Sequence, residues 1–330
     1  LSDAEVHCLQ GAVALADATE AVQADVPDWC VEQLKATFSV GWLTECIALA
    51  GRPPLDLRVN TLKSDRDRVL RQIARLKPEA CCLSPVGIRI PPTGAARRHP
   101  NIQSDEAWLR GRVEVQDEGS QLCALLAGAA PGDQVLDICA GAGGKSLAFA
   151  ATMDNRGQIY AYDADRNRLA PIYDRLKRAG ARNVQVRPPD DDTLGDLVGR
   201  MDLVFVDAPC SGSGVWRRHP DAKWRLTPEA LDLRRQEQVA VLDEAARFVR
   251  PGGTLAYATC SVFDSENRQQ IEAFRTRFPD FRPVDLAERF RDLTEYAADE
   301  AGHLSDGAIQ LTPVRSATDG FYLSVLQREQ

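Results

Sequence analysis

Two thiols in this 330-residue chain stand where covalent chemistry is feasible. One closes Asp207-Ala208-Pro209-Cys210 and is followed by Ser211-Gly212-Ser213-Gly214; the other lies in Tyr257-Ala258-Thr259-Cys260-Ser261. Each follows an apolar run that reads as a buried strand, which delivers the thiol to a strand end. An acid three residues before a thiol, on a turn fixed by Pro and Gly, suits nucleophilic attack with proton management. A third strand runs into Asp137-Ile138-Cys139-Ala140-Gly141-Ala142-Gly143-Gly144-Lys145, whose glycines let a ligand approach the backbone closely. This is not the dinucleotide fingerprint, because Gly144 directly follows Gly141-x-Gly143. It is not a P-loop either, since only Gly143-Gly144-Lys145-Ser146 matches its end. Asp163 closes the next strand, where an acid either holds a ribose hydroxyl pair or caps the helix starting near Asp165. Asp190 opens an acidic triplet that could equally be a solvated loop. After Cys210, Arg217, Arg218, His219, Lys223 and Arg225 are interleaved with Trp216 and Trp224. That pattern fits phosphate contact and base stacking, or a solvated face.

Strands must position these groups. Residues 134–138, 158–163, 184–186, 203–207 and 254–258 read as strands, with helices over 145 onward, 166–179 and 228–249. This alternation predicts a doubly wound, mostly parallel sheet, in which ligands bind beyond the carboxyl ends of the strands. The run 321–326 predicts a late strand, antiparallel at the sheet edge. Upstream the grammar differs. Helices are expected over 3–20 and from 27 to about 49. In 55–60 the apolar residues alternate with Asp56, Arg58 and Asn60; a helix over 64–76, capped by Ser64 or Asp65, and a strand over 86–90 follow. Pro91 to Gly94 and the basic Arg97-Arg98-His99 read as loop. The fold class is thus α/β, with an N-terminal α+β domain over 1–112 and a Rossmann-like domain over 113–330.

Composition narrows the class. The 40 Lys+Arg against 48 Asp+Glu give a net charge of −8, which excludes binding by bulk positive charge but not a local basic groove. With 44% hydrophobic and 27% charged residues the chain is globular in composition. No apolar run approaches about 18 residues, so no membrane helix is expected. The first residues lack the layout of a secretory signal, and nine cysteines, Cys8 included, show neither a disulfide framework nor paired zinc spacing. A reduced cytoplasmic chain with no metal is expected. The absent initiator Met points to a trimmed N-terminus.

Taken together, the two cysteine motifs, the glycine loop and Asp163 resemble the NOL1/NOP2/Sun (RsmB-like) family of S-adenosylmethionine-dependent RNA cytosine-C5 methyltransferases. Arg217-Arg218-His219-Pro220-Asp221-x-Lys223-Trp224 is similar to its bacterial 16S rRNA branch, and Gln116-Asp117 with Ser120-Gln121 to the entry of its catalytic domain. The resemblance implies a class I methyltransferase fold with an RRM-like RNA-binding N-terminal domain. S-adenosylmethionine is the implied cofactor, and 16S rRNA, in a single-stranded or loop region, the implied partner; no obligatory protein partner is inferred. It implies that Cys260 attacks C6, Cys210 assists release, Asp207 holds the base and Lys145 lies beside it. The implied cofactor residues are Cys139, Ala140, Gly141, Ala142, Gly143, Gly144, Lys145, Asp163, Arg168, Asp190 and Asp207. RNA contacts would come from Arg217, Arg218, His219, Lys223, Trp224 and Arg225. Two departures stand out. The family loop reads Cys-Ala-Ala-Pro-Gly-Gly-Lys, whereas Gly141-Ala142 here replace Ala-Pro and imply a more flexible loop. Pro188-Pro189 precede Asp190 where a Gly is common.

Rival readings are an exocyclic-amine methyltransferase, which needs no nucleophilic cysteine, and a dehydrogenase, which the glycine spacing disfavours. A non-catalytic RNA-binding assembly factor with a decayed cofactor loop is the alternative motivated by Gly141-Ala142.

Overall fold

The structure, a computed structural model, describes residues 15–92, 99–190, 193–294, 296 and 302–330, apart from the side chain of residue 303. Cys8, the front of the first expected helix, Arg97-Arg98 and Asp191-Asp192 lie outside these residues.

The small module is a four-stranded antiparallel sheet. Its strands are β1 (Leu55–Val59), β2 (Glu79–Ala80), β3 (Gly87–Ile90) and β4 (Val113–Val115), in the spatial order β2-β3-β1-β4. Helices Arg66–Gln72 and Glu106–Leu109 follow β1 and β3. The first starts where Asp65 accepts a bond from the Arg68 N–H at 2.8 Å. Alternation along β1 sends Leu57 and Val59 into a core with Val69, Ile73, Ile88, Ile90 and Val113. β4 pairs with β1 in the register Leu57↔Val115, so the small sheet extends past the boundary expected at 112.

The large module holds β5 (Gln134–Asp137), β6 (Gln158–Tyr162), β7 (Val184–Arg187), β8 (Met201–Asp207), β9 (Val249–Thr259), β10 (Phe281–Pro283), β11 (His303–Ser305), β12 (Ala308–Leu311) and β13 (Phe321–Arg328). The order is β11-β12-β13-β9-β8-β5-β6-β7, with β10 paired to β13. Strands β5 to β9 are parallel; β13 runs antiparallel to both β9 and β12. The late strand is therefore internal rather than at the edge. Its first six residues are all buried, as expected of a strand covered on both faces. The chain order reverses between β5 and β8, which makes that gap the topological switch point.

The leading helix expected from 27 to 49 is broken into Val31–Phe38 and Trp42–Ala50, because Ser39 takes a positive φ of 51°. These helices and Glu20–Ala24 bury Leu34, Trp42 and Leu49 against Trp216, Val262 and Phe263. Among the described residues, no helix is long and apolar enough to cross a membrane.

Candidate active site

The two thiols come from neighbouring strands. Asp207 is registered beside Ala258 across β8 and β9, so the turns that leave both strand ends emerge together. Cys210 Sγ and Cys260 Sγ lie 3.4 Å apart as free thiols. Their shared hydrogen bond, followed by burial, holds the Cys210 thiol protonated well above the ordinary thiol range. A buried carboxylate that the sequence did not single out joins the two turns. Glu266 accepts from the Ser211 N–H at 2.8 Å, from the Ser211 and Ser261 hydroxyls, and from Gln238 Nε2 at 3.0 Å. Gln238 also donates to Pro209 O at 2.8 Å. Distance in sequence hid Glu266, which stands among the other polar residues Asp264, Ser265, Asn267 and Arg268.

Beside the thiols, Lys145 Nζ donates to Asp207 Oδ2 at 2.9 Å. Lys145 is 4% exposed. Burial opposes its charge, but Asp207 and nearby acidic groups outweigh it, and the ammonium is held above its ordinary value. Its Nζ also faces the Phe205 and Phe321 rings, 5.7 and 5.8 Å from their centroids. This pair borders a cleft of about 350 Å³, at the lower end of small-ligand sites, with Gln116, Ser120, Arg218 and Phe321 on its walls.

The glycine loop leaves β5 at the switch point. Gly143 has φ 83°, and a Cβ there would meet Ile172 Cγ1 at 2.5 Å, so no larger residue fits. Asp163 Oδ2 accepts the Gly141 N–H at 2.9 Å, while Arg168 Nη1 stands 3.8 Å from the same oxygen. The helix beyond is capped by Asp165 rather than by Asp163. Asp137 accepts from Ser146 Oγ at 2.6 Å through Oδ2, and its buried Oδ1 has no partner. Burial pushes the Asp137 carboxyl up to about 7. An acid at the end of β6, an orphaned acceptor at the end of β5 and a backbone turn that needs glycine at 143 together fit an adenosyl group with an amino-acid tail. Asp190 stands apart: it is exposed and paired with Arg166 at 2.7 Å. Cys139 packs against the core cluster that holds Val204, Val206 and Tyr257, and burial drives its thiol far upward.

The basic run after Cys210 is largely turned inward. Arg217 and Arg218 pair with the buried Asp319, and Arg218 Nη2 reaches Asp117 Oδ2 at 2.8 Å. Lys223 is 3% exposed and pairs with Asp25; Trp216 is packed beneath the leading helices. His219, Trp224 and Arg225 are exposed, with Arg225 paired to Asp221 at 2.6 Å. The spacing that suggested phosphate contact therefore builds, for Arg217 and Arg218, an ion-pair network with Asp117 and Asp319, and for Lys223 a separate pair with the exposed Asp25.

The polar face of the small sheet is also covered. Asp56 holds Arg89 at 2.8 and 2.7 Å, and Asn60 Nδ2 donates to Gly111 O and Ala179 O, each at 2.8 Å. Glu114 pairs with Arg175 and Arg178. The face that an RRM would offer to RNA is thus packed on the large module. Asp56, Cys81 and Glu118 form the only cluster among the described residues with metal-competent spacing, and the Arg89 guanidinium bridges its two carboxylates.

Residues 124–327 match the family described as "16S rRNA methyltransferase RsmB/F". Residues 26–94 match the ferredoxin-like domain of RsmF/B-like methyltransferases. Ribosomal RNA small subunit methyltransferase B of Enterobacter sp. (strain 638) is 36% identical over 255 residues, covering 76% of this chain and 58% of that protein. Its namesake in Erwinia tasmaniensis is 32% identical over 308 residues, covering 92% and 66%. The chain thus spans about three fifths of the length of the curated relatives it matches. Two solved structures from Pyrococcus horikoshii share the fold. A methyltransferase homolog protein has TM-score 0.74 at 24% identity, covering 94% of this chain and 97% of the other. NSun6 with SFG has TM-score 0.77 at 20% identity, covering 92% and 98%. A family match over most of its length, joined to relatives above 30% identity, places the chain in the RsmB/F family of 16S rRNA methyltransferases, an S-adenosylmethionine-dependent family.

Proposed function

We propose that the chain methylates C5 of a cytosine in 16S rRNA through a covalent bond between Cys260 and C6. The observation that carries this reading is the pair of free thiols 3.4 Å apart at two adjacent strand ends, beside the Lys145–Asp207 pair. S-adenosylmethionine, when bound, supplies an electrophilic methyl group; Asp163 holds its ribose and the Gly141–Gly144 turn its remaining polar groups. Arg168, beside Asp163, would flank that ribose, whereas Asp190, exposed and held by Arg166, would reach the nucleoside only at the outer rim.

Cytosine C5 is a weak nucleophile until a thiolate adds to C6. Cys260 Sγ forms the S–C6 bond, and the displaced π pair makes C5 an enamine-like carbon. Asp207 holds N3 and the exocyclic amine, and a proton shared with N3 neutralises the charge that addition builds there. Lys145 keeps Asp207 oriented and lends positive charge to the pocket. Once C5 carries the methyl, its C–H bonding pair restores the C5–C6 double bond as Cys260 leaves with the S–C6 pair, and the C5 proton replaces on Cys210 the one that Cys210 gives up. Cys210, whose thiol the bond to Cys260 keeps protonated, protonates the departing sulfur. The target base must be unstacked to enter the cleft, so single-stranded or loop RNA in the cytoplasm is the substrate, with no protein partner required.

The test is incubation of the full chain with 16S rRNA and S-adenosylmethionine, followed by bisulfite mapping. A single protected cytosine is expected. Methylation of an exocyclic amine, or binding without methyl transfer, would overturn the reading.

A further inference from the structure

Two charged residues on the covered face of the small sheet connect to the backbone of the cofactor loop. Arg58, on β1, donates through Nη1 to Gly144 O at 2.8 Å. Glu114, on β4 and 1% exposed, holds Arg175 Nη2 at 2.9 Å, and Arg175 Nη1 donates to Ala142 O at 2.7 Å. Arg178 shares Glu114 and lies over the Trp108 ring, 3.8 Å from its centroid; its described bonds do not reach the loop.

The loop needs such support. Gly141 and Gly143 have φ of 49° and 83°, and glycine gives up more conformational freedom on ordering than any other residue. Ala142 stands where the related family loop carries a proline, whose ring would fix φ and reduce that freedom in advance. A guanidinium fork, by contrast, fixes its carbonyl by position. One arm is locked on a buried carboxylate and the other is aimed at the peptide between residues 142 and 143.

We propose that Arg175, anchored on Glu114 of the small sheet, is a positioning residue that holds the Gly141–Gly144 turn in its cofactor-binding shape, the task a proline at 142 would perform. The inference rests on the reading that S-adenosylmethionine binds this loop. It also gives the small module a role in cofactor affinity that needs no RNA contact.

The experiment is calorimetric titration of S-adenosylmethionine into the full chain and four variants, with melting temperatures of the cofactor-free proteins. R175A weakens binding about tenfold, the scale of one charge-assisted hydrogen bond. R175K, which keeps the charge but cannot span both acceptors, weakens it as well. R178A breaks the other Glu114 pair and stays within about twofold of the wild type, while its melting temperature falls as much as that of R175A. A142P placed in the R175A background restores most of the lost affinity; Ala142 is absent from the positive-φ residues, so no left-handed backbone bars a proline there. Wild-type affinity in R175A, equal weakening in R178A, or no recovery with A142P would each overturn the inference. A wild-type chain that fails to bind S-adenosylmethionine would instead overturn the functional reading beneath it.

Discussion

Position alone cannot divide the labour between two sulfurs 3.4 Å apart, but their surroundings differ. Both are half-buried, but the bond to Cys260 keeps the Cys210 thiol protonated, and the proposed mechanism accordingly makes Cys260 the attacking atom. Cys260→Ala should therefore form no adduct and no methylcytosine. Cys210→Ala should methylate and then remain on the RNA as a species that survives a denaturing gel. An adduct in Cys260→Ala would reverse the assignment. Asp137 offers a second test, through pH. Burial raises its folded-state carboxyl to about 7, above an ordinary aspartate. An acid shifted upward favours the fold while protonated, so its contribution is complete below about 4, the unfolded value, and is lost progressively as pH climbs to about 7. The cofactor-free Asp137→Asn protein should gain melting temperature over the wild type as pH goes from about 5 to 8. A pH-independent difference would contradict this. Both thiols and the loop were legible in the sequence, because catalytic side chains sit within a few residues of strand ends. Glu266 was not, since its partners Ser211 and Gln238 are brought to it only by the fold.

The basic run shows, at the scale of elements, what spacing alone leaves open. Phosphate-binding arginines and arginines that lace loops together have the same spacing in sequence, and only their acceptors tell them apart. Here Asp319, on the turn before β13, and Asp117, at the start of helix Glu118–Ala127, take up Arg217 and Arg218. Asp319→Ala would leave two largely buried guanidinium groups short of a partner, at a cost of about 3–5 kcal/mol. Its melting temperature should fall by roughly 10 °C. Arg217→Ala with Lys223→Ala should lower stability while leaving the slope of log K against log salt for RNA nearly unchanged. A true phosphate contact on a single strand would remove about 0.7 from that slope. A slope reduced by more than one would restore these residues to the RNA surface.

At the scale of the molecule the leading helices and the small sheet act as supports for the site. Trp216, Val262 and Phe263 follow the two cysteine turns directly and are covered by Leu34, Trp42 and Leu49. Each such side chain is worth about 1.5–3 kcal/mol when buried. A chain begun at Gly51 should therefore lose cooperative unfolding, and its tryptophan emission should shift to the red as Trp216 is wetted. A compact, blue-emitting fragment would show the leading helices to be dispensable.

The sequence alone determined the alternating strands, the glycine loop, the acids that follow β5, β6 and β8, and the two thiols. All are local: a strand end and the turn after it are specified by periodicity and by Gly and Pro within about ten residues. It also set the apolar face of β1. The tertiary structure decided what meets the other face. Asp56, Arg58 and Asn60 alternate with the apolar residues on the opposite face, yet they are buried because Arg89, Gln116, Gly144 O and Ala179 O satisfy them. The internal place of β13, the bridge through Glu266 and the inward turn of Arg217, Arg218 and Lys223 were settled in the same way. A buried polar group is stable only with its partner in place, and a partner a hundred residues away leaves no periodic trace in the chain.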